Sequence, residues 1–417
     1  MKDMLGREDV KTAETALKLL IDNLPLKTLK EKNLKIEDSL NAISSKDIFS
    51  SEDLPAFKRS TVDGYAVKAE DTFGATETMP VYLNLEKEIF MGQMADFSLS
   101  EDGAAKIPTG GMLPDVADAS VMFEHVQIID DKMIEVFKPV APAENVIQKG
   151  EDVKKGEIII RRGRRIRPQD IGACAGVGVT EITVYEKPKV SVISTGDEIV
   201  SPEKSLSIGE VRDINSYMLT GMIEESGGIP LIKGIFKDDY EIIRDVMETS
   251  LKDSDLIIIS GGTSVGTKDI IAKIIDDFGS PGVLFHGLSL KPGKPMIGGM
   301  INGVPVFGLP GHPAAVSICF EIFILPILNI LSGLNEKFPQ YSRRIVKAKL
   351  SKNISSTQGR EEHIRVILEE KEDGLWAEPV LGKSGLITTL VKADGTIVVP
   401  LNVYGIEKGT IVDVRLF

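Results

Sequence analysis

The spacing of hydrophobic positions changes several times along the chain, and each change predicts a different kind of element. Near the start, apolar residues recur at helical spacing over 8–23 and again over 34–49, which predicts two helices. From about 59 to 140 the apolar runs are short and separated by turn residues, a pattern typical of strands. We therefore predict a helical beginning that is followed by a β-rich module.

Strands and helices alternate regularly from about 188 to 334. Apolar runs at 190–194 and 256–260 have the length of buried strands. The predicted helices of this part cover 216–226, 240–252, 269–278 and 314–331. This alternation predicts an α/β domain with a mainly parallel sheet that is covered by helices on both faces.

A second β-rich region begins at about 335, where apolar residues alternate through 344–350, 363–368 and 397–400. Strands of this spacing predict a small barrel or sandwich. The segment 145–187 resembles a return to the N-terminal module after an insertion. The predicted domains are a discontinuous N-terminal domain (1–58 and 145–187), a β-rich insertion (59–144), an α/β domain (188–334) and a C-terminal β domain (335–417).

The composition excludes several classes of function. The 49 basic and 62 acidic side chains give a net charge of −13, which argues against a general nucleic-acid binder. Cys174 and Cys319 provide neither a disulfide framework nor a thiolate metal cluster. No signal sequence is visible, and the apolar run 314–331 contains Glu321, so we interpret it as a core helix. We expect a cytoplasmic protein with no nucleic-acid or membrane partner.

The segment 260–269 joins an apolar strand to a helix and contains three glycines. Backbone N–H groups in such a turn can approach an anion, and the helix N-terminus adds partial positive charge. The spacing matches neither a Walker A loop nor a dinucleotide-binding fingerprint. Anion binding is our interpretation, and a tight turn without a ligand is the alternative.

Four loops should meet at one edge of the predicted parallel sheet, because each follows a strand. They contain 195–198, Asp238, the glycine-rich segment 260–269 and 308–313. The carboxylates of Glu198, Asp238 and Asp269 suit a hard cation such as Mg²⁺.

Lys291 and Lys294 lie on a proline-stiffened loop and suit phosphate or another oxyanion. The four histidines lie on separate predicted elements, which argues against a zinc triad. The residues alone therefore predict a binder of a phosphate ester or nucleotide diphosphate together with a divalent cation.

Three other features have a plain structural interpretation. Asp63 precedes Gly64 in a turn, and Thr109 lies between prolines and glycines in another turn. Five arginines within 161–167 make one strongly basic segment. This segment has two possible interpretations, a solvated hairpin with no ligand or a basic surface that steers anions.

With these residues identified, the sequence resembles the MoeA family of molybdopterin molybdenumtransferases, which includes the E domain of gephyrin. The resemblance covers nearly the whole chain. It rests on six blocks in the family's order: 60–66 (STVDGYA), 108–110 (PTG), 194–198 (STGDE), 260–266 (SGGTSVG), 291–295 (KPGKP) and 308–311 (GLPG).

The resemblance implies an elongated homodimer of four-domain subunits with a C-terminal β-barrel. It also implies an activity, the Mg²⁺-dependent insertion of molybdenum from molybdate into adenylylated molybdopterin with release of AMP. Contact with a molybdopterin adenylyltransferase is a further implied partnership. Tungstate insertion, an adenylyltransferase-type nucleotide reaction and a non-catalytic scaffold are the alternatives.

The resemblance also implies roles for individual residues. Asp238 and Asp269 would hold the metal at the adenylyl phosphate, and Glu198 would support them. Asp63 and Thr109, in the β-rich insertion, would close the cleft of the other subunit as catalytic residues. The remaining implied ligands are Gly261, Gly262, Thr263, Ser264, Gly266, Lys291, Lys294, Pro310 and Pro313 for the pterin phosphates, and Arg365 and Ser384 for molybdate.

Two positions depart from the family's pattern and concern the anion site. The family often has Gly-Asn-Pro where this chain has Gly311, His312 and Pro313. Many members have a lysine at the position of Gly287. Both departures leave open which oxyanion is preferred.

Overall fold

The chain forms two compact units. The computed structural model describes residues 10–25, 29–261, 265–335 and 344–417, with only the backbone of 265–269. One unit contains Met1–Lys32, Asn41–Ser45 and Tyr185–Phe417, and the other contains Asn33–Leu40 and Lys46–Val184.

The first helix, α1 (Ala13–Asn23), starts later than its apolar pattern. Thr12 is its N-cap, and the Thr12 Oγ1 atom accepts a hydrogen bond from the backbone N–H of Thr15. Ala16 and Leu20 on one face are fully buried. The predicted amphipathic helix is therefore confirmed from residue 13 onward.

The predicted helix over 34–49 is wrong. This stretch contains the end of strand β1 (Glu31–Lys35), a single 3₁₀ turn at Ile36–Asp38 and strand β2 (Ile48–Phe49). The Ser39 hydroxyl donates to the Ile36 carbonyl, and Asn41 has a left-handed φ of 63°. Polar side chains that bond the nearby backbone compete with helical hydrogen bonds, so the apolar spacing alone was misleading.

The second unit is rich in short strands, as the sequence predicts. Its elements are β3 (Arg59–Ser60), β4 (Gly64–Val67), β5 (Val81–Glu88), β6 (Gly103–Ile107), β7 (Ala119–Met122), β8 (Val126–Asp130), β9 (Met133–Val136), β10 (Val146–Ile147), β11 (Ile158–Ile160), α2 (Pro168–Gly176) and β12 (Glu181–Tyr185). Six strands form one sheet in the order β7-β4-β6-β5-β9-β8. Tyr65, Leu83 and Ile134 fill its core.

The α/β part of the first unit follows. Its elements are β13 (Lys189–Thr195), β14 (Ile199–Val200), β15 (Val211–Arg212), α3 (Asn215–Glu225), β16 (Ile229–Phe236), α4 (Tyr240–Asp253), β17 (Leu256–Gly261), α5 (Val265–Phe278), β18 (Pro281–His286), β19 (Leu290–Lys291), β20 (Ile297–Ile301), β21 (Val304–Leu309), α6 (Pro313–Cys319) and α7 (Leu325–Leu331). One π-helical turn, Phe320–Ile324, joins α6 to α7.

The main sheet has the order β16-β13-β17-β21-β20-β18. The first four strands run parallel, and β20 and β18 extend the sheet in antiparallel pairings. Ile258 faces one core cluster, whereas its neighbours Ile257 and Ile259 face another. Because both faces of the sheet are covered, successive residues of β17 are apolar and do not alternate with polar ones. The predicted mainly parallel sheet is confirmed.

The apolar helix from Pro313 to Leu331 lies in one of these cores. It is 19 residues long with a mean hydropathy of 2.2, so by length and composition alone it could cross a membrane. Most of it is buried in the protein, and Val316, Phe320 and Ile327 pack in the same core as the sheet. This buried position explains the apolar composition of the helix and agrees with its prediction as a core helix.

The C-terminal part closes into a β-barrel. Its elements are β22 (Ile345–Leu350), β23 (Ile354–Ser355), β24 (Glu361–Lys371), β25 (Gly374–Pro379), α8 (Thr388–Val391), β26 (Gly395–Val399), β27 (Gly405–Ile406) and β28 (Ile411–Leu416). The long β24 pairs with both β25 and β26, which closes a ring through β22 and β28. Strand β19 also pairs with β24, so backbone hydrogen bonds attach the barrel to the α/β part.

Candidate functional site

A crevice of about 210 Å³ lies beyond the carboxyl ends of the parallel strands. It is lined by Thr195 at the end of β13, Glu198 in the following loop, Gly261 at the end of β17, and His312 and Pro313 after β21. Three of the four predicted loops therefore meet at one place. Parallel sheets generally bind ligands at this edge.

Gly261 allows β17 to approach β13 closely at the floor of the crevice. A Cβ atom at this position would lie 1.7 Å from the Oγ1 atom of Thr195. No side chain fits there, so the requirement for glycine comes from strand packing as well as from any ligand.

Asn215, at the start of α3, fixes the two neighbouring strand ends. Its Nδ2 atom donates to Ser260 Oγ at 2.9 Å and to the Gly311 carbonyl at 3.0 Å. Its Oδ1 atom is buried and accepts no hydrogen bond from the described residues. Because the Gly311 carbonyl can only accept, the amide orientation is fixed, and Oδ1 remains available to a ligand.

The two predicted metal ligands are placed differently. Asp238 follows β16, the edge strand of the parallel group, and is not among the described residues that line the crevice. The side chain of Asp269 lies outside the described side chains, although its backbone belongs to α5. The described side chains contain no group of three or more His, Cys, Asp or Glu residues suited to a metal.

The glycine-rich segment is described only in part. Gly261 lines the crevice, whereas Gly262, Thr263 and Ser264 lie outside the described residues. Gly266 falls in the first turn of α5, where only the backbone is described. The anion-cradle interpretation of these residues stays a prediction.

A larger cavity of about 600 Å³ lies between the α/β part and the barrel. We call it the cationic cavity, because its described walls carry six basic side chains and one carboxylate, Glu362. The basic side chains are those of Lys291, Lys294, Lys352, Arg360, Arg365 and Lys383. In a chain of net charge −13, such a concentration of positive charge indicates an anion site.

Arg365 is the most constrained of these cations. It is 7% exposed, and its Nη2 atom donates to the Gly382 carbonyl at 3.1 Å. Its buried Nε atom has no hydrogen-bond acceptor within the described part of the chain. Burial lowers the pKa of the Arg365 guanidinium, because removal from water disfavours its charge. An anion in the cavity would supply the missing compensation.

Lys291 and Lys294 lie in the cationic cavity and not in the crevice. The Nζ atom of Lys291 lies 2.7 Å from Glu362 Oε1. Gly293 between them has a φ of 122° and packs against Cys319, where a Cβ atom would lie 2.9 Å from Sγ. The loop thus turns both lysines toward the barrel, where Arg365 and Ser384 also line the wall.

His312 is common to both cavities. Its Nδ1 atom lies 2.8 Å from the hydroxyl oxygen of Ser384. Pro310, two residues earlier, lines the cationic cavity, and Pro313 lines the crevice. The loop that follows β21 therefore lies between the two sites and contributes lining residues to both.

Asp63 and Thr109 lie together in the second unit. The Asp63 Oδ1 atom accepts a hydrogen bond from the backbone N–H of Thr109 at 2.8 Å. Both side chains are exposed. The carboxylate therefore fixes the turn at Thr109, and this pairing is consistent with the plain structural interpretation of each residue.

The basic segment 161–167 has a partly structural role. Arg164 Nη2 lies 3.3 Å from Asp170 Oδ1, and Arg167 Nε lies 2.9 Å from Asp170 Oδ2. Asp170 is buried in the first turn of α2, where it needs such partners. These two arginines serve the fold, and anion steering by the rest stays a prediction.

Several residues that line the two sites are not predicted by the sequence. Asp213 and Asn215 line the crevice, and Arg360 and His363 line the cationic cavity. Asp213 and Asn215 directly precede a helical pattern, a position where such residues commonly cap helices, so they did not indicate a ligand. The position of Arg360 and His363 depends on the pairing of β19 with β24, which joins distant parts of the chain.

Family models match three parts of the chain. They are the "MoeA N-terminal region (domain I and II)" over residues 11–178, the "Probable molybdopterin binding domain" over 191–330, and the "MoeA C-terminal region (domain IV)" over 347–417.

Similar proteins and structures are aligned over nearly the whole chain. A protein of Methanocaldococcus jannaschii named for molybdopterin biosynthesis is 39% identical, with 93% of this chain and 92% of the relative covered. A molybdopterin molybdenumtransferase of Staphylococcus epidermidis is 30% identical, with 98% and 96% covered. A crystal structure of a MoeA protein from Pyrococcus horikoshii has a TM-score of 0.84 and 31% identity, with 98% of this chain and 100% of that chain covered.

Proposed function

The chain belongs to the MoeA family of molybdopterin molybdenumtransferases, enzymes of molybdenum cofactor biosynthesis, and we propose its detailed reaction from this premise. It transfers molybdenum from molybdate to the dithiolene of adenylylated molybdopterin, and AMP is released. The observation that carries the proposal is the cationic cavity beside the strand-end crevice.

The cationic cavity suits the molybdate dianion. Arg365 presents a buried guanidinium edge, and Ser384 adds a hydroxyl group that is oriented by His312. Hydrogen bonds from a guanidinium to an oxyanion are among the stronger ones in proteins, and burial strengthens them further. Lys294 adds a further cation to the wall. It forms no ion pair with the described residues, so its ammonium group can turn toward an anion.

The crevice suits the adenylyl phosphate end of the other substrate. Gly261 keeps the end of β17 free of side chains, and the N-terminus of α5 follows it closely. Helix N-termini favour phosphate groups because their N–H groups are not bonded within the helix. Asn215 Oδ1 offers an acceptor to an N–H group or to a cation in the same space.

The chemistry of the described donors also fits Mg²⁺. Glu198, Asp213 and the Asn215 carboxamide line the crevice and offer only oxygen atoms as ligands. We propose that Asp238 and Asp269 hold the cation, with Glu198 beside them. When bound, Mg²⁺ would neutralise charge on the phosphate oxygens.

The remaining features of the proposal rest on the family membership. We propose a homodimeric, cytoplasmic enzyme that receives its substrate from a molybdopterin adenylyltransferase. Asp63 and Thr109 would act together as catalytic residues, because the Asp63 carboxylate holds the Thr109 backbone.

Tungstate insertion is the second candidate. Molybdate and tungstate are both tetrahedral dianions, and a cavity of about 600 Å³ does not select between them by size. Charge and hydrogen bonding therefore decide affinity here, and both anions carry the same charge.

Replacing Asp269 tests the proposed metal site. Asp269→Asn should lower the rate of AMP release at least about 100-fold, because an amide is a much weaker Mg²⁺ ligand than a carboxylate. Asp245→Asn on the exposed side of α4 is the matched control and should retain the wild-type rate. Near-normal turnover by Asp269→Asn across a Mg²⁺ titration would remove that residue from the site.

A further inference from the structure

His312 forms part of the wall between the two cavities. Its Nδ1 atom contacts Ser384 Oγ, and Ser384 lines the cationic cavity. The next residue, Gly385, lines the crevice, and a side chain there would meet the His312 ring at 3.6 Å. The imidazole ring of His312 therefore packs against a turn of two residues. One of them, Ser384, lines the cationic cavity, and the other, Gly385, lines the crevice.

Both sides of this contact are anchored to the core helix. The backbone carbonyl of His312 accepts hydrogen bonds from Ala315 at 2.9 Å and Val316 at 3.0 Å, so His312 is the N-cap residue of the helix. The Ser384 carbonyl accepts from the backbone N–H of Ala314 at 3.1 Å. The barrel turn is thereby attached twice to the same helix end, once through its backbone and once through a side chain.

The contact continues into each site. Toward the crevice, the Gly311 carbonyl accepts from Asn215 Nδ2 at 3.0 Å. Toward the cationic cavity, the Gly382 carbonyl accepts from Arg365 Nη2 at 3.1 Å. A ligand that moves Asn215 or Gly311 would therefore move His312, and through Ser384 it would move the turn that orients Arg365.

We propose that His312 is a positioning residue that couples occupancy of the crevice to the affinity of the cationic cavity for an oxyanion. The inference rests on the proposed function, because it takes AMP as a ligand of the crevice and molybdate as a ligand of the cavity. Such coupling is reciprocal, and its usual size is about 5- to 150-fold in affinity.

Three substitutions separate the effect of the hydrogen bond from the effect of the ring volume. In His312→Asn, a polar atom of the carboxamide is bonded to Cγ, as Nδ1 is in histidine, and it can still form a hydrogen bond with Ser384. In His312→Leu, an apolar side chain of similar volume occupies the space without a hydrogen bond. Ser384→Ala breaks the same bond from the other side and leaves the ring in place.

Molybdate affinity of the full chain, measured by calorimetry with and without saturating AMP, tests the inference. We expect AMP to change the wild-type affinity about five-fold or more, and His312→Asn to keep that effect. His312→Leu and Ser384→Ala should bind molybdate equally with and without AMP. His125→Leu, on the 3₁₀ turn Phe123–His125 of the other unit, is the control and should respond as the wild type does.

The possible outcomes distinguish this inference from the proposed function. If the wild type binds molybdate but does not respond to AMP, the coupling is refuted and the oxyanion site stands. If His312→Leu and Ser384→Ala keep the full AMP effect, His312 has no coupling role. If the wild type binds no molybdate, the proposed function fails, and the inference fails with it.

Discussion

At the scale of single residues, Arg365 shows how a residue of a binding site can lower the stability of the folded chain. The guanidinium is almost fully buried, its pKa is lowered by desolvation, and its Nε atom lacks an acceptor in the described structure. A buried charge without full compensation destabilises the folded chain. Its presence is explained if an anion completes the site.

Arg365→Met should separate binding from stability. Methionine fills a similar volume without charge, so we expect molybdate affinity to fall about 10- to 100-fold, the loss of one or two charge-assisted hydrogen bonds. The thermal midpoint should stay unchanged or rise, because a desolvated charge is removed. Lys349→Met is the control on the outer barrel, where Lys349 pairs with Asp373. Unchanged molybdate binding by Arg365→Met would contradict the site.

At the scale of elements, the ends of the parallel strands define the crevice, and the closeness of β13 and β17 depends on one glycine. The sequence was informative here, because strand–loop–helix order predicts which loops share an edge. It was uninformative where the partners are distant in sequence. The sequence predicts Lys291 and Lys294 as ligands of the pterin phosphates, together with the glycine-rich segment, but the pairing of β19 with β24 places them against the barrel.

Gly261→Ala should destabilise the α/β part by about 3 kcal/mol, because the added carbon would overlap Thr195 Oγ1. Thr195→Ala in the same chain should restore part of that loss by removing the overlapping atom. Gly221→Ala in α3 is the matched control, since nothing lies within 4 Å of its added carbon, and it should be neutral or stabilising. Equal urea midpoints for all variants would refute the packing argument.

At the scale of the whole molecule, most of the fold follows from hydrophobic spacing, whereas the sites depend on how distant parts meet. The α/β alternation, the β-rich unit and the C-terminal strands are all visible in the sequence. Closure of the barrel is not, because it depends on β24 pairing with two strands at once. The four predicted domain boundaries stay predictions, since the contacts divide the chain into two units.

The stability of the barrel should depend on pH through Glu361. A hydrogen bond with His363 lowers the Glu361 pKa below its ordinary value of 4.5. A carboxyl group with a depressed pKa in the folded state stabilises above its unfolded pKa, and that stability is lost as the pH falls through the folded pKa. Glu361 therefore stabilises the barrel near neutral pH and not in acid.

Glu361→Gln should cost about 1 kcal/mol at pH 7, and the difference from wild type should shrink below about pH 4.5. Urea unfolding followed by fluorescence of Trp376, the single tryptophan, reports on the barrel. Glu369→Gln on the same strand is the control, because its pair with Lys371 is exposed. A difference that does not vary with pH would argue against the charge as its cause.

The most direct test of the account is single-turnover metal insertion by the purified chain. Protein, adenylylated molybdopterin, Mg²⁺ and molybdate or tungstate are combined, and AMP and cofactor-bound metal are quantified together. We predict one AMP for each metal inserted, with molybdate as a substrate and Arg365→Met at least about ten-fold slower. AMP release without cofactor-bound metal, or neither product at any molybdate concentration, would contradict the proposed reaction.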